Sequence, residues 1–248
     1  MNINHPSQNI QKPTTTSMLV QILRPDIIIY SGIRELDRLL GGFKAGELTL
    51  IDGNSDLIGD LPNHLCVNTY NTFQSDTIYI DGGMCADPYT IARYARMMER
   101  DQREALRHVQ ISRAFTVYQL STLIDEMLEP MIQQRTPRTL IIGMFPLLYH
   151  DPDVSSQEAQ MLLTHNLEKI RELTRRYHLI TVLTNLDVTP LSTHRGVGRT
   201  LFNWVDEIVR MKQRDQCTSI ELVKKQTSTL LVRFSKEQRR LEEFEMVV

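Results

Sequence analysis

The chain has 248 residues, of which 41% are hydrophobic and 23% are charged, and its formal net charge is −2. This composition is typical of a globular protein with a full hydrophobic core, and the charge argues against a surface that is basic throughout. Residues 1–17 lack the apolar stretch of a signal peptide, and the longest near-apolar run, 140–149, is too short to span a bilayer. We therefore expect a cytoplasmic protein without a membrane partner.

Three cysteines, Cys66, Cys85 and Cys217, are scattered along the chain. No two of them have the spacing of a zinc site, and an odd number does not indicate a disulfide framework. Free thiols in a reducing compartment are the simplest interpretation, and we predict no metal site.

The first half of the chain begins with a polar segment, residues 1–24, whose Asn, Gln, Thr and Pro content indicates a flexible arm. A regular pattern of apolar residues then follows. In chain order it predicts a helix at 33–40, a strand at 47–51, a loop at 52–60, a helix at 61–73, a strand at 77–81, a helix at 88–100 and a strand at 109–113.

The second half continues the alternation of helices and strands. It predicts a helix at 118–133, a strand at 139–144, a helix at 155–177 that opens with the capping box Ser155 to Glu158, a strand at 179–184, a loop at 187–199 and strands at 205–212, 218–224 and 229–234. The alternation predicts an α/β domain with a mostly parallel sheet, and the closely spaced last strands predict an antiparallel extension. We expect one core domain over 25–235 and a charged tail at 236–248.

The segment Ser31 to Gly53, SGIRELDRLLGGFKAGELTLIDG, resembles the lead-in to the ATP site of the RecA/RadA recombinase family. Three further segments resemble strands of that family: TIYID at 77–81, TLIIG at 139–143 and TVLTN at 181–185. The resemblance implies a RecA-like three-layer fold, an ATP site between adjacent subunits and a role in DNA recombination and repair.

The residues that carry the chemistry in that family are replaced in this chain. Residues 54–64 contain neither Gly-Lys-Thr nor Gly-Lys-Ser, the motif whose lysine neutralises phosphate charge and whose hydroxyl binds Mg²⁺. Gly143 stands where the family has a metal-binding aspartate at the end of the fourth strand. Gly83 stands near the position of the catalytic glutamate, and Leu186 replaces the glutamine that senses the γ-phosphate.

An alignment of the helix after the loop places Pro62 and Asn63 at the lysine and hydroxyl positions. Proline offers neither a cation nor a backbone N–H. The loop itself contributes the carboxylates of Asp52, Asp56 and Asp60 and no basic residue, which would repel a triphosphate. We therefore predict a pseudo-ATPase with no catalytic residues and no bound cofactor.

A vestigial phosphate site is the alternative at this loop, because backbone amides at a helix N-terminus can still hold an anion. Its candidate residues are Gly53, Asn54, Ser55, Gly59 and Asn63. Binding of ATP with Mg²⁺, without hydrolysis, would make the chain a divergent ATP-binding regulator that resembles the KaiC-like branch of the same superfamily.

The glycine-rich loop at 187–199 carries the candidate nucleic-acid-binding residues His194, Arg195 and Arg199. Arginines in such a loop could contact phosphates, and a solvated surface loop explains them equally well. The resemblance implies a non-catalytic paralog that acts as an accessory factor. Its expected partners are a recombinase or a sister RecA-fold paralog, with single-stranded DNA as a further candidate. A structural module without a nucleic-acid role is the third interpretation.

Overall fold

The structure is a computed structural model, and it describes residues 27–186, 196–214 and 217–233. The predicted arm at 1–24, the predicted tail at 236–248 and the two candidate residues His194 and Arg195 lie outside these described residues. Among the described helices, none combines the length and the apolar character that crossing a bilayer would need.

The first described elements form a small unit before the main sheet. Strand β1 (Ile28–Ile29) pairs antiparallel with β2 (Phe43–Lys44), and helix α1 (Arg34–Leu40) lies between them in the chain. Helix α1 ends at Gly41, which has the left-handed backbone φ of 79° that favours glycine at this position.

The remaining elements alternate strand and helix until the last hairpin. They are β3 (Leu48–Gly53), α2 (Leu57–Phe73), β4 (Thr77–Asp81), α3 (Pro88–Met97), α4 (Gln102–Arg107), β5 (Val109–Arg113), α5 (Val117–Thr122), a π-helical turn (Leu123–Met127), α6 (Leu128–Arg135), β6 (Thr139–Gly143), a 3₁₀ turn (Leu147–His150), α7 (Ser156–Arg176), β7 (Ile180–Leu186), α8 (Val197–Trp204), β8 (Glu207–Arg214), β9 (Cys217–Leu222) and β10 (Thr227–Arg233).

The main sheet has eight strands in the order β10-β9-β8-β3-β7-β6-β4-β5. Strands β8, β3, β7, β6, β4 and β5 are parallel, whereas β9 and β10 form an antiparallel extension at one side. This arrangement confirms the predicted α/β fold with a mostly parallel sheet and a C-terminal antiparallel extension.

Two hydrophobic cores lie on opposite faces of the sheet, which gives the three layers that the resemblance implied. One core packs α1, α2, α3 and α4 on the sheet, and the other packs α5, α6, α7 and α8 on it. The central strands are buried along their whole length, as strands covered by helices on both faces must be.

The lead-in segment, Ser31 to Gly53, has a structural role in this arrangement. The carboxylate of Asp37 accepts hydrogen bonds from the backbone N–H groups of Ser31, at 2.7 Å, and Gly32, at 3.0 Å. Gly32 has a φ of 81°, and a Cβ there would lie 2.6 Å from Cε1 of His64 on α2. The start of the lead-in therefore packs directly against α2.

Three helix boundaries differ from the sequence prediction by three residues or more. Helix α2 begins at Leu57, four residues before the predicted start, because Leu57 and Ile58 are buried in the core. The predicted helix at 88–100 ends at Met97, and a separate helix, α4, follows it. Helix α8 begins at Val197, inside the predicted loop, because Val197 and Leu201 bury one helical face.

Candidate functional site

The predicted phosphate-loop residues lie at the C-terminal edge of the sheet, where β3 runs into α2. Gly53, the last residue of β3, has a φ of 136°, and a Cβ there would lie 1.9 Å from the carbonyl oxygen of Met211 on β8. Only glycine fits this position, because the backbone of β8 passes directly beside it. The glycine is thus required by the packing of two strands.

The connection from β3 to α2 is only three residues long, 54–56. The N–H of Asn54 donates to the carbonyl of Met211 at 3.1 Å. The N–H groups of Ile58 and Gly59 donate to the carbonyls of Ser55 and Asp56 at 3.0 and 3.1 Å. These amides at the start of α2 are therefore engaged by the protein's own backbone.

Two side chains of this turn point to the neighbouring strands. The Oδ1 atom of Asn54 accepts a hydrogen bond from the N–H of Gln213 at 2.8 Å. Ser55 is buried, and its hydroxyl lies 3.4 Å from that of Thr218 on β9. The turn is consequently packed against β8 and β9 through polar contacts.

Asn63 is a buried link between α2 and the loop that follows β4. Its Nδ2 atom donates to the carbonyls of Gly59, at 3.3 Å, and Cys85, at 3.1 Å, and its Oδ1 atom accepts from the N–H of Asp87 at 3.0 Å. Asn63 and Pro62 lie in the second turn of the helix. Their placement at the lysine and hydroxyl positions of the family stays a prediction.

The acidic character expected of the loop is partly neutralised. The buried carboxylate of Asp52 accepts hydrogen bonds from Nε of Arg210 on β8 at 3.2 Å and from Nδ2 of Asn185 on β7 at 2.9 Å. The sequence prediction treated the loop carboxylates as unbalanced charges. The structure corrects this for Asp52, while Asp56 is exposed and Asp60 is half-buried.

An aromatic ring fills the space at the end of β6. A Cβ on Gly143 would lie 2.9 Å from Cε2 and 3.0 Å from the phenolic oxygen of Tyr79 on β4. Tyr79 is fully buried, and burial raises the pKa of its phenol. Its hydroxyl has no hydrogen-bond partner among the described residues. A side chain at residue 143, where the resemblance places a metal-binding aspartate, would therefore require the Tyr79 ring to shift.

The loop after β4 is organised by a buried carboxylate. Asp81 accepts hydrogen bonds from the N–H groups of Gly83, Cys85 and Ala86 at 3.0–3.2 Å. A Cβ on Gly83 would lie 2.5 Å from Cγ of Met144, so the position expected for the catalytic glutamate is also closed by packing.

The candidate nucleic-acid-binding residues are described only in part. Arg199 is exposed on the first turn of α8. His194 and Arg195 lie outside the described residues, so the structure does not test whether the three side chains form one surface. Their role in contacting DNA stays a prediction.

Sequence reasoning did not identify Tyr79, Met144 or Arg210 as parts of this region. Each reaches it from a strand or loop far away in the chain, so no local pattern indicates the contact. The signal that was available is the pair of glycines, Gly143 and Gly83, because a glycine in place of a functional carboxylate indicates a close approach by another side chain.

Comparison with known proteins gives the family. The family model described as Rad51 matches residues 24–198. The mouse protein named DNA repair protein RAD51 homolog 4 (Mus musculus) is 31% identical over 113 residues, which cover 43% of this chain and 34% of the relative. The chain thus spans about a third of that relative. Because the family model covers most of the chain, the chain belongs to the Rad51 family.

Proposed function

We propose that this chain is a non-catalytic member of the Rad51 family that acts as an accessory factor in DNA recombination and repair. It would do so by binding a catalytically active recombinase or a sister paralog. The name of its mouse relative, a DNA repair protein, supports the biological setting. The geometry of the C-terminal sheet edge supports the absence of catalysis.

The observation that carries the proposal is the filled space at the end of β6. Phosphoryl transfer needs a cation for the phosphates and a carboxylate that holds Mg²⁺. Tyr79 occupies the space beside Gly143, and Met144 occupies the space beside Gly83. The loss of one preorganised electrostatic group typically costs about 3–4 kcal/mol of transition-state stabilisation, so several losses together argue against hydrolysis.

The contacts around the β3–α2 turn support the further proposal that no nucleotide is bound. Anion binding at a helix N-terminus depends on amides that are free to face the ligand. Here the amides of Asn54, Ile58 and Gly59 already donate to backbone carbonyls. The first turn of α2, residues 57–60, contains no basic side chain and no hydroxyl.

The preserved scaffold supports a role in binding other proteins. The described residues keep a three-layer arrangement with two buried cores, although the groups that catalysis requires are replaced. A folded family member without its own site can still occupy a place beside a catalytic subunit. Arg199, exposed on α8, remains a candidate for contact with single-stranded DNA.

The proposal is tested by mixing the purified chain with a catalytically active Rad51-family recombinase in the absence of nucleotide. We expect a complex on size-exclusion chromatography with light scattering. Binding to single-stranded DNA, measured at low and high salt, should weaken steeply with salt if Arg199 contributes a phosphate contact. Hydrolysis of ATP by the chain alone, at a rate that follows its concentration, would contradict the proposal.

A further inference from the structure

Four exposed apolar side chains follow the C-terminal ends of the neighbouring parallel strands β4 and β5, and we call them the apical patch. They are Tyr89, which is 88% exposed, Met84 at 72%, Phe115 at 64% and Tyr118 at 50%. Groups of exposed apolar residues on a folded domain mark interaction sites. Methionine and aromatic residues are also the types enriched at the centres of protein interfaces.

The loops that carry the patch are joined to one another. The 82–87 loop carries Met84. In this loop the carbonyl of Ala86 accepts a hydrogen bond from Nη2 of Arg113 at 3.0 Å. Arg113 ends β5, two residues before Phe115, whose N–H donates to Gln119 of α5 at 2.8 Å. The patch therefore belongs to one connected surface rather than to independent loops.

The 82–87 loop is also fixed by hydrogen bonds to Asp81 at the end of β4 and to Asn63 on α2. Asp81 accepts three backbone N–H groups of this loop and the Nε–H of Arg113 at 3.1 Å, while Asn63 binds the carbonyl of Cys85. Met84 has a φ of 57°, a left-handed backbone that is unfavourable for a side-chain-bearing residue. Because this conformation is fixed before binding, a partner would lose less free energy in ordering the loop.

Acidic residues lie in the segments that carry or adjoin the patch. The segments 82–90, 114–119 and 144–158 contain no lysine or arginine, and they carry four carboxylates, Asp87, Asp151, Asp153 and Glu158. Arg113, which ends β5, is paired with Asp81, and the guanidinium of Arg93, one turn after Tyr89 on α3, lies over the ring of Tyr94. This surface therefore concentrates negative charge in a chain whose net charge is only −2.

The acidic groups adjoin the aromatic ones directly. The hydroxyl of Tyr118 donates to Oε1 of Glu158 at 2.9 Å. That bond and the nearby carboxylates of Glu158 and Asp151 raise the pKa of the Tyr118 phenol. The carboxylates of α7 and of the loop before it therefore belong to the same surface as the patch.

We propose that the apical patch binds a basic protein segment, in which lysine or arginine side chains flank an apolar anchor. The anchor would contact Met84 and Phe115, and the basic side chains would face Asp153 and its acidic neighbours. Nucleic acid does not fit this surface, because phosphates would be repelled by its carboxylates. The proposal deepens the proposed function, since it assigns the surface that a protein partner would use, and it depends on that function only for the identity of the natural partner.

The test uses two labelled synthetic peptides and the whole chain. In the first peptide, lysine and leucine alternate around a central tryptophan, and in the second every lysine is replaced by glutamate. Fluorescence anisotropy at low and high salt gives the affinity. We expect the lysine peptide to bind at least about tenfold more tightly than the glutamate peptide, with an advantage that shrinks as salt increases.

Matched variants locate the binding surface. Met84→Ser with Phe115→Ser should weaken binding of the lysine peptide by about thirtyfold, because apolar anchors at interface centres have effects of that size. Tyr30→Ser with Phe202→Ser removes two exposed side chains from other surfaces and should change the affinity less than about twofold.

A second pair of variants tests the charge. Asp153→Lys should weaken binding of the lysine peptide by about fivefold to tenfold, whereas Glu168→Lys, an equal change of charge on the exposed face of α7, should have little effect. Circular dichroism of every variant confirms that it is folded.

Four results would overturn the proposal: no binding of the lysine peptide to the wild-type chain, equal binding of the two peptides, equal binding by the patch and control variants, or tight binding of single-stranded DNA that the patch variants abolish. The same variants, tested against a Rad51-family recombinase, separate this proposal from the proposed function. If the patch variants still bind the recombinase, the proposed role of the apical patch is contradicted and the proposed function is not. Peptide binding without any recombinase binding by the wild type contradicts the proposed function alone.

Discussion

Replacement of Gly143 by alanine tests directly whether an aromatic ring fills the end of β6. The new Cβ would lie 2.9 Å from Cε2 and 3.0 Å from the phenolic oxygen of Tyr79, both closer than side-chain atoms normally approach. Tyr79 is fully buried, so its ring cannot shift without disturbing the surrounding core. Overpacking of this kind costs about 1–3 kcal/mol, and we expect that loss in the free energy of unfolding measured with urea.

Gly59→Ala is the matched control, because it makes the same chemical change at another residue of the candidate site. No atom lies within 4 Å of a Cβ at residue 59, and the residue is part of α2. Alanine is favoured over glycine in a helix by about 0.5–1 kcal/mol. The two glycine-to-alanine changes should therefore move the free energy of unfolding in opposite directions.

A double-mutant cycle attributes the cost to the ring itself. Tyr79→Leu alone should destabilise the protein by about 2–4 kcal/mol, since it leaves a cavity. Combined with Gly143→Ala, the total loss should be smaller than the sum by about 1 kcal/mol or more, because the methyl group then enters the space of the missing ring. Additive losses, or a Gly143→Ala variant as stable as Gly59→Ala, would refute the packing described here.

Two further predictions concern charged groups. Arg210→Met should lower the free energy of unfolding by about 1–2 kcal/mol, because it leaves the buried Asp52 carboxylate with Asn185 as its described partner. Asp52→Asn in the same chain should recover most of this loss. An unchanged urea midpoint in Arg210→Met would argue against the ion pair. Burial lowers the pKa of His64 to about 4 from 6.5, so the unfolded chain takes up the proton first as the pH falls. Stability should consequently drop by up to about 3 kcal/mol between pH 6.5 and 4, a dependence that His64→Gln removes and that His165→Gln, at an exposed histidine, retains. Identical pH profiles for the two variants would contradict the assignment.

Local patterns predicted the regular elements well, because periodicity and capping act within a few residues. Strands β4 and β5 have the predicted bounds, and the helix after Ser155 begins at its capping box, where the Ser155 hydroxyl accepts from the N–H of Glu158. Helix α4 was missed although Asp101 caps it by accepting from the N–H of Glu104. The same type of capping signal is thus present there, one residue beyond the predicted helix at 88–100.

The start of α2 could not be predicted from local preferences. Gly59 and the neighbouring carboxylates indicated a loop, and Pro62 is a residue favoured in the first turn of a helix. Burial of Leu57 and Ile58 against the sheet outweighs those preferences and extends the helix toward β3. Tertiary packing therefore leaves a β3–α2 connection of three residues, 54–56, which is shorter than the predicted loop at 52–60.

Only part of the candidate site could be predicted from the sequence. The absence of the family's lysine, hydroxyl and carboxylates follows from the residues themselves. What replaced them does not, because Tyr79 meets Gly143 across two strands that are about 60 residues apart in the chain, and such contacts depend on strand order and register.

Calorimetric titration of ATP with Mg²⁺ into the purified chain tests the central claim most directly, with a catalytically active Rad51-family recombinase titrated under the same conditions as the positive control. We predict no saturable heat for this chain at ATP concentrations that saturate the recombinase, because the amides of Asn54, Ile58 and Gly59 donate to backbone carbonyls and the ring of Tyr79 lies against Gly143. A saturable, Mg²⁺-dependent isotherm with a micromolar Kd would contradict the account.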